Sequence, residues 1–144
     1  MLPDYEIVLG KGIGNILFGM TREEIEEILG DADEIVLSED NDFSPCESYA
    51  YNSIRCMFSF DSEHEYRLIK ISVENDFFHI GHKIRVGLRK EKLIKVCEEL
   101  NFGENIVKQI DTEELLPQEL ISYNQVGLHF LLDDGIISAI QILP

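Results

Sequence analysis

The chain has 144 residues, 44% of them hydrophobic, and its 28 acidic and 12 basic side chains give a formal net charge of −16. This size and composition are typical of one globular domain with its own core, and the charge disfavours nucleic acids and anionic membranes as partners. No apolar run approaches the roughly 18 residues that span a bilayer. The start, Met1 to Glu6, lacks a signal-peptide pattern, so we expect a cytoplasmic protein with no membrane contact.

The cysteines also indicate a reducing compartment. Cys46, Cys56 and Cys97 have unrelated spacings and form no C-x-x-C motif. Cys56 and Cys97 lie on apolar stripes, where a thiol behaves as a small buried hydrophobe. No disulfide is predicted.

A short helix is predicted directly after Thr21. The Gly10–Asn15 turn region precedes it, and Thr21 with Glu24 matches a capping box. Met20 and Ile25 are spaced for a hydrophobic staple, and Gly30 follows at a position that suits a helix end. The apolar stripe of this helix consists of Ile25, Ile28 and Leu29.

Strands are predicted after this helix. The segment from Asp31 to Glu47 carries seven acidic residues and no Lys or Arg; Glu34–Ser38 is its predicted strand and Glu39–Pro45 a loop. Alternation then predicts one continuous strand from Tyr49 to Phe60. Its inward face would hold Ala50, Asn52, Ile54, Cys56, Phe58 and Phe60, and its outward face Tyr49, Tyr51, Ser53, Arg55, Met57 and Ser59. A turn at Asp61–Glu65 leads to a strand at Tyr66–Val73.

The second half repeats this order from Ile84 onward. Its helix has a weaker start, because Arg89 stands where Thr21 stood. An acidic connector, Asp111–Glu119, precedes a predicted strand at Ser122–Leu132 and a last strand at Ile136–Leu143. The apolar stripe of the second helix consists of Leu93, Val96, Cys97 and Leu100.

The two halves correspond at nearly constant spacing. Ile16 is matched by Ile84 after 68 residues, Tyr51-Asn52 by Tyr123-Asn124 after 72, and Ile69-Lys70-Ile71 by Ile140-Gln141-Ile142 after 71. Similarity in unbroken order indicates an internal duplication. The predicted fold is therefore α+β, a single domain over 1–144 built of two helix-plus-antiparallel-sheet repeats, about 5–75 and 76–144.

Patterns typical of catalysis or metal binding are weak. Gly10, Gly12 and Gly14 match neither a dinucleotide-binding nor a P-loop pattern. His79 with His82 and His64 with its neighbouring glutamates do not have zinc spacing, and Asp40-Asn41-Asp42 lacks the rest of a calcium loop. We therefore predict a protein that is not an enzyme, with no catalytic residue, no metal ligand and no cofactor.

The segment Ile16-Leu17-Phe18-Gly19-Met20-Thr21-Arg22-Glu23-Glu24-Ile25 through Gly30 resembles a signature of the β-lactamase-inhibitor-protein family and of the related SmpA/OmlA outer-membrane lipoproteins. The resemblance implies tandem helix-and-sheet units whose joint sheet grips a partner enzyme. The chain departs from those exported families, because it has no signal peptide, no lipidated cysteine near its start and no paired cysteines, and the Thr is lost in the second repeat. A small intracellular immunity protein that neutralises a bacterial toxin fits these departures better than a secreted inhibitor.

The first functional hypothesis is thus an acidic immunity or inhibitor protein, a monomer or weak homodimer that binds a protein partner such as a basic toxin. The sheet face opposite the helices would supply the contacts, with acidic loops steering the partner. The alternatives are a structural or assembly scaffold that forms a homo-oligomer or joins a complex, and an enzyme or small-ligand binder with a groove between the repeats. Candidate contacts on the sheet face are Tyr49, Tyr51, Arg55, Met57, Lys70, Tyr123, Gln125, His129 and Gln141, and candidates in the acidic segment are Asp40, Asp42 and Glu47.

Overall fold

A computed structural model describes residues 6–40, 43–110 and 118–144, with the side chains of residues 38–40, 43 and 44 left out. Two α-helices, α1 Arg22–Leu29 and α2 Lys90–Glu99, and one 3₁₀ turn, Ser62–His64, lie in these ranges. The strands are β1 Ile7–Val8, β2 Gly12–Ile13, β3 Ile16–Leu17, β4 Glu34–Asp40, β5 Phe43–Tyr51, β6 Cys56–Asp61, β7 Leu68–Val73, β8 Ile106–Ile110, β9 Gln118–Tyr123, β10 Leu128–Asp133 and β11 Ile136–Ile142.

The main sheet is antiparallel and has eight strands in the order β4-β5-β6-β7-β11-β10-β9-β8. A small three-stranded sheet, β1-β2-β3, precedes it in the chain. Strands β7 and β11 pair at the centre, so both halves of the chain share one sheet. Two helices with a large antiparallel sheet agree with the α+β class predicted from the sequence.

The helix ends follow the local sequence. At α1, Thr21 and Glu24 form the predicted capping box, and Gly30 takes a φ of 81°, which favours glycine. At α2, Arg89 occupies the N-cap and makes no side-chain capping bond. The first helix therefore has a side-chain cap at its start that the second lacks. The second helix also ends locally, because Asn101 takes a φ of 59° and Phe102 N–H donates to Cys97 O over 3.1 Å.

Two predicted strands are each a hairpin. A turn at residues 52–55 divides the predicted strand Tyr49–Phe60, and a turn at residues 124–127 divides the predicted strand Ser122–Leu132. Across the first turn Tyr51 pairs directly with Cys56, and across the second Tyr123 pairs with Leu128. Cross-strand partners share a face of the sheet. Residues before each turn consequently lie on the face opposite to the one that uninterrupted alternation predicts.

The core lies between the helices and one face of the main sheet. Ile25 of α1 and Leu93 of α2 are fully buried in one cluster with Phe58 and Phe130. Cys56 and Cys97 are buried in the same cluster, as predicted. At about 25 cal/mol per Å² of buried apolar area, side chains of this size each contribute on the order of 2 kcal/mol to folding.

Backbone contacts recur between the two halves. Gly19 N–H donates to Leu68 O over 3.0 Å, and Gly87 N–H donates to Ile137 O over 2.8 Å. At the ends of the hairpins, Glu74 N–H donates to Arg55 O and Leu143 N–H donates to Gly127 O, over 2.9 and 2.8 Å. Register irregularities also correspond, at Ser59/Phe60 and at Leu131/Leu132.

The central strand pair corrects one detail of the predicted correspondence. Ile71 pairs with Ile142 and Val73 with Ile140, on either side of the Ser72–Gln141 pair. Phe58 lies opposite Ile71, and Phe130 lies opposite Ile140. Ile71 therefore corresponds to Ile140, and not to Ile142 as the sequence comparison suggested. The symmetric centre of the sheet falls at Ser72 and Gln141.

Strand β8, Ile106–Ile110, was not predicted, and the structure shows a short strand whose side chains are largely exposed. Of the predicted acidic connector, Glu119 belongs to β9, and residues 111–117 lie outside the described ranges. Within residues 6–40, 43–110 and 118–144, no helix combines the length and apolarity needed to cross a membrane.

Candidate functional site

The main sheet has one face covered by the helices and one that the helices do not contact, here called the uncovered face. Strand register shows which side chains lie on it, because direct cross-strand neighbours share a face. One row of such neighbours crosses five strands and consists of Met57, Ser72, Gln141, His129 and Ser122. Most are half-buried, as expected for side chains that stand among neighbours on a sheet. The central residues of the uncovered face are Met57, Ser59, Lys70, Ser72, Leu120, Ser122, His129, Leu131, Ala139 and Gln141.

Four of the predicted contact residues meet on this face: Met57, Lys70, His129 and Gln141. The His129 ring nitrogen Nδ1 lies 2.8 Å from Ser122 Oγ. Burial lowers the pKa of His129, and the charge of Lys70 lowers it further. The histidine is therefore held towards its neutral form, and Lys70 provides the positive charge at the centre of the face.

The three predicted tyrosines lie on the covered face, which corrects their assignment. Tyr49, Tyr51 and Tyr123 are only 6%, 5% and 2% exposed. The physical reason is the pair of hairpin turns, which invert the alternation before each turn. Buried among core side chains, these tyrosines are not available to a partner.

The buried tyrosines instead connect the sheet to the elements above it. Tyr51 Oη donates to the carbonyl oxygen of Gly30, at the end of α1, over 2.9 Å, and Asn105 Nδ2 donates to Tyr123 Oη over 3.2 Å. Burial raises the pKa of both Tyr51 and Tyr123 to about 12 and also raises the pKa of Tyr49. These hydroxyls stay protonated at neutral pH and serve as fixed hydrogen-bonding groups.

Arg55 and Gln125 lie in the two hairpin turns at the ends of the strands. Arg55 is exposed and has a φ of 51°, whereas Gly127 holds the corresponding position with a φ of 66°. A non-glycine residue in this conformation is uncommon. Arg55 borders a cavity of about 400 Å³ that opens at the end of the uncovered face. Its lining includes Ala50, Asn52, Arg55, Met57, Ser72 and Glu74.

The acidic candidates are placed differently from the prediction. Glu47 lies in β5 on the covered side, where Arg22 Nη1 is 2.5 Å from its Oε2. This pairing with the first residue of α1 corrects its assignment to a steering loop. The Asp40 side chain and all of Asp42 lie outside the described part of the structure.

Glu119 repeats this arrangement in the second half. Lys90, the first residue of α2, lies 2.8 Å from Glu119, and Gln109 donates to the same carboxylate over 3.1 Å. The hydrogen bond from Lys90 is the main cause that lowers the pKa of Glu119. Both glutamates therefore hold a helix start against the sheet.

Sequence reasoning missed the contribution of Ser72, Leu120, Ser122 and Leu131 to the uncovered face. Ser72 could have been found, because it alternates with the buried Ile71 and Val73. The sequence pointed Leu120 and Leu131 to the covered face, since an apolar side chain is normally expected there. Their pairing with each other identifies an apolar spot on a polar face.

Cys56 and Cys97 are buried in the core. Burial raises the pKa of Cys56 to about 12 and of Cys97 to about 11, so both thiols are protonated at neutral pH. In the described ranges, no group of three or more His, Cys, Asp or Glu side chains is arranged to hold a metal ion.

Comparison of the chain with protein-family models, curated proteins and solved structures gave no match.

Proposed function

We propose that this chain is a protein-binding module without catalytic activity, an acidic immunity-type inhibitor that binds a basic protein across its uncovered face. The observation that carries the proposal is an eight-stranded sheet covered by helices on one side only. Eight strands at about 4.8 Å spacing give a face roughly 35 Å wide. With strands about 20 Å long, the face approaches the roughly 800 Å² that each partner contributes to a standard interface.

The composition of the uncovered face supports this proposal. Its centre combines flexible and apolar side chains, Met57, Leu120 and Leu131, with hydrogen-bonding side chains such as His129 and Gln141. Lys70 is the charged residue among the ten central positions named above. Interface centres are similarly poor in charged residues and contain methionine more often than other surfaces.

The net charge supports a basic partner. The 28 acidic side chains outnumber the 12 basic ones, and Glu23, Glu27, Asp31 and Asp33 are exposed near the end of the sheet that carries α1. Such a field accelerates encounter with a cationic protein and is screened by salt. A cytoplasmic location belongs to the same proposal, and the three free cysteines are compatible with it.

An internal duplication is part of the proposal as the origin of the broad face. It is supported by the recurring backbone bonds, by the matching register irregularities and by the strand order, which reads identically from both edges when β4–β7 are equated with β8–β11. Pairing two such units through β7 and β11 would create a single domain with one continuous binding face.

The test is capture of a partner by the immobilised chain, identified by mass spectrometry and then measured with purified proteins. We expect a basic protein whose association rate falls sharply as ionic strength rises. Met57→Ala combined with Leu131→Ala should weaken binding at least about tenfold, as expected for central interface side chains. Lys92→Ala, on the exposed side of α2, is the control and should change affinity less than twofold.

Two results would contradict the proposal in different ways. Unchanged affinity of the double variant, with its folding verified by urea denaturation, would show that the uncovered face is not the interface. An association rate independent of salt would remove the steering role of the acidic side chains.

A further inference from the structure

The two edge strands of the main sheet occupy corresponding positions but have different chemistry. Ile35 pairs with Tyr49, which pairs with Phe58, and Val107 pairs with Ile121, which pairs with Phe130. Because Phe58 and Phe130 correspond, Ile35 corresponds to Val107. By the same register Val36 corresponds to Lys108 and Leu37 to Gln109. Strand β8 thus carries a lysine and a glutamine at its centre. Lysine at this place is a common protection of an edge against pairing with other chains.

Strand β4 has no such protection at its centre. Ile35, Val36 and Leu37 are exposed by 52%, 39% and 72%, respectively. Ile35 and Leu37 point to the covered side of the sheet and Val36 to the uncovered side, so apolar groups flank the edge on both sides. Three consecutive exposed apolar residues on an edge strand are costly unless they serve a contact.

The charge around β4 determines what can cover it. Residues 31 to 47 contain seven acidic side chains and no lysine or arginine, and Asp31, Asp33 and Glu34 are exposed. Antiparallel pairing of two β4 strands about Leu37 would place Glu34 opposite Asp40 of the second copy. Two copies would also each bring a net charge of −16. Like charges opposite one another are unfavourable, so a second copy is disfavoured.

We propose that β4 is a docking edge for an extended segment of the partner that alternates basic and apolar side chains. The segment would add a ninth strand beside β4 and exchange main-chain hydrogen bonds with it. Its apolar side chains would contact Ile35 and Leu37 on the covered side, and its basic side chains would lie on the uncovered side near Glu34. Strand addition of this kind takes affinity from the backbone and specificity from alternate side chains. The inference rests on the proposed function and specifies how part of the partner is held.

The probe is a synthetic, end-blocked peptide of about nine residues that alternates lysine and valine. We expect it to shift the backbone amide resonances of residues 34–38 in an NMR titration, with little change at 106–110. A second peptide carries N-methyl groups on consecutive central backbone amides, so that neither of its edges can donate its central hydrogen bonds. It keeps the charge and side chains of the first and should bind at least about tenfold more weakly.

Matched variants locate the edge. Leu37→Gln gives β4 the side chain that β8 has at the corresponding position and should weaken peptide binding about fivefold, because apolar contact is lost without a change in charge. Val107→Gln on the opposite edge is the control, and the affinity of this variant for the peptide should stay within twofold of the parent's. Equal binding of the plain and N-methylated peptides, or shifts centred on 106–110, would overturn the inference.

The test of the docking edge can fail independently of the test of the proposed function. If Met57→Ala with Leu131→Ala weakens binding of the captured basic protein and Leu37→Gln does not, the docking edge is refuted while the uncovered face remains the interface. If the peptide binds at β4 but no basic protein is captured, the proposed function fails on its own test.

Discussion

In the first half of the molecule α1 covers Tyr49, Tyr51 and Phe58, and in the second half α2 covers their counterparts, among them Tyr123 and Phe130. On the covered face the two halves carry bulky apolar or aromatic side chains at corresponding positions. On the uncovered face they differ, with Met57, Ser59 and Ser48 in one half matched by His129, Leu131 and Leu120 in the other.

The comparison separates two requirements on one sheet. Core positions must fill a closed volume, and close packing penalises both lost and added atoms. The uncovered face has no such constraint from within the chain, so its side chains can differ between halves that share a hydrogen-bonding frame. Under the proposed function, these differences would determine which partner is bound.

The largest effect on stability is expected from substitutions that test whether the two halves share one core. Phe58→Ala and Phe130→Ala remove corresponding, fully buried rings, and each should lower the free energy of unfolding by about 3–5 kcal/mol. Urea denaturation should show a single cooperative transition in both variants. Lys92→Ala is the exposed control, expected within about 0.5 kcal/mol of the parent. A transition that splits in two in either variant would show that the halves unfold separately.

The helix starts should respond unequally. Thr21→Ala removes a capping side chain and should cost about 1 kcal/mol, whereas Arg89→Ala should cost almost nothing because Arg89 makes no capping bond. Arg89→Thr would give α2 an N-cap hydroxyl like that of Thr21, with Lys92 in place of the Glu24 of the capping box, and is expected to raise stability. Urea midpoints of the three variants measure the difference. Equal losses from Thr21→Ala and Arg89→Ala would show that the capping box does not stabilise α1.

The sequence was sufficient to predict features that are set by local chemistry. It was insufficient to predict a hairpin whose turn residues carry no strong turn signal. The α1 cap was predicted because hydroxyl and carboxylate stand three residues apart. The first hairpin was missed because Asn52-Ser53-Ile54-Arg55 contains neither glycine nor proline and continues the alternation. In the second hairpin Gly127 was a usable signal, since it adopts a positive φ in the turn.

The same turns decided which site residues were found. Alternation was phased correctly after each turn, which placed Met57 and His129 on the uncovered face, and inverted before it, which misplaced Tyr51 and Tyr123. A one-residue error in pairing exchanges the two faces of a strand. The ion pair of Glu47 with Arg22 was beyond sequence reasoning, because it joins residues 25 positions apart across a helix and a strand.

A smaller effect is expected from the two ion pairs that hold the helix starts. Double-mutant cycles with Arg22→Met and Glu47→Gln, and with Lys90→Met and Glu119→Gln, should each give coupling of about 0.2–1 kcal/mol because all four side chains are partly exposed. Zero coupling in both cycles would show that the pairs do not stabilise the helix starts.

The effect of low pH on stability should distinguish the Lys90–Glu119 pair from the Arg22–Glu47 pair. The pKa of Glu119 is lowered in the folded protein, so its contribution is present above the unfolded pKa, near 4.5, and is lost as pH falls through the lower folded value. Glu119→Gln should therefore make the fall in urea midpoint below pH 5 less steep than in the parent. An identical slope in the two proteins would contradict this assignment.

The last contrast is between His129 and its counterpart Met57, which does not titrate. Burial and Lys70 lower the pKa of His129, so near pH 6 the unfolded chain binds more protons at this residue than the folded chain does. Stability should therefore decline as pH falls from about 7 through the lowered pKa. His129→Met should remove this part of the decline, because the remaining histidines are common to both proteins. Parallel curves of urea midpoint against pH between about 5 and 7.5 would mean that the pKa of His129 is not lowered, and the uncovered face would then gain a second positive charge beside Lys70 as pH falls below the ordinary histidine pKa.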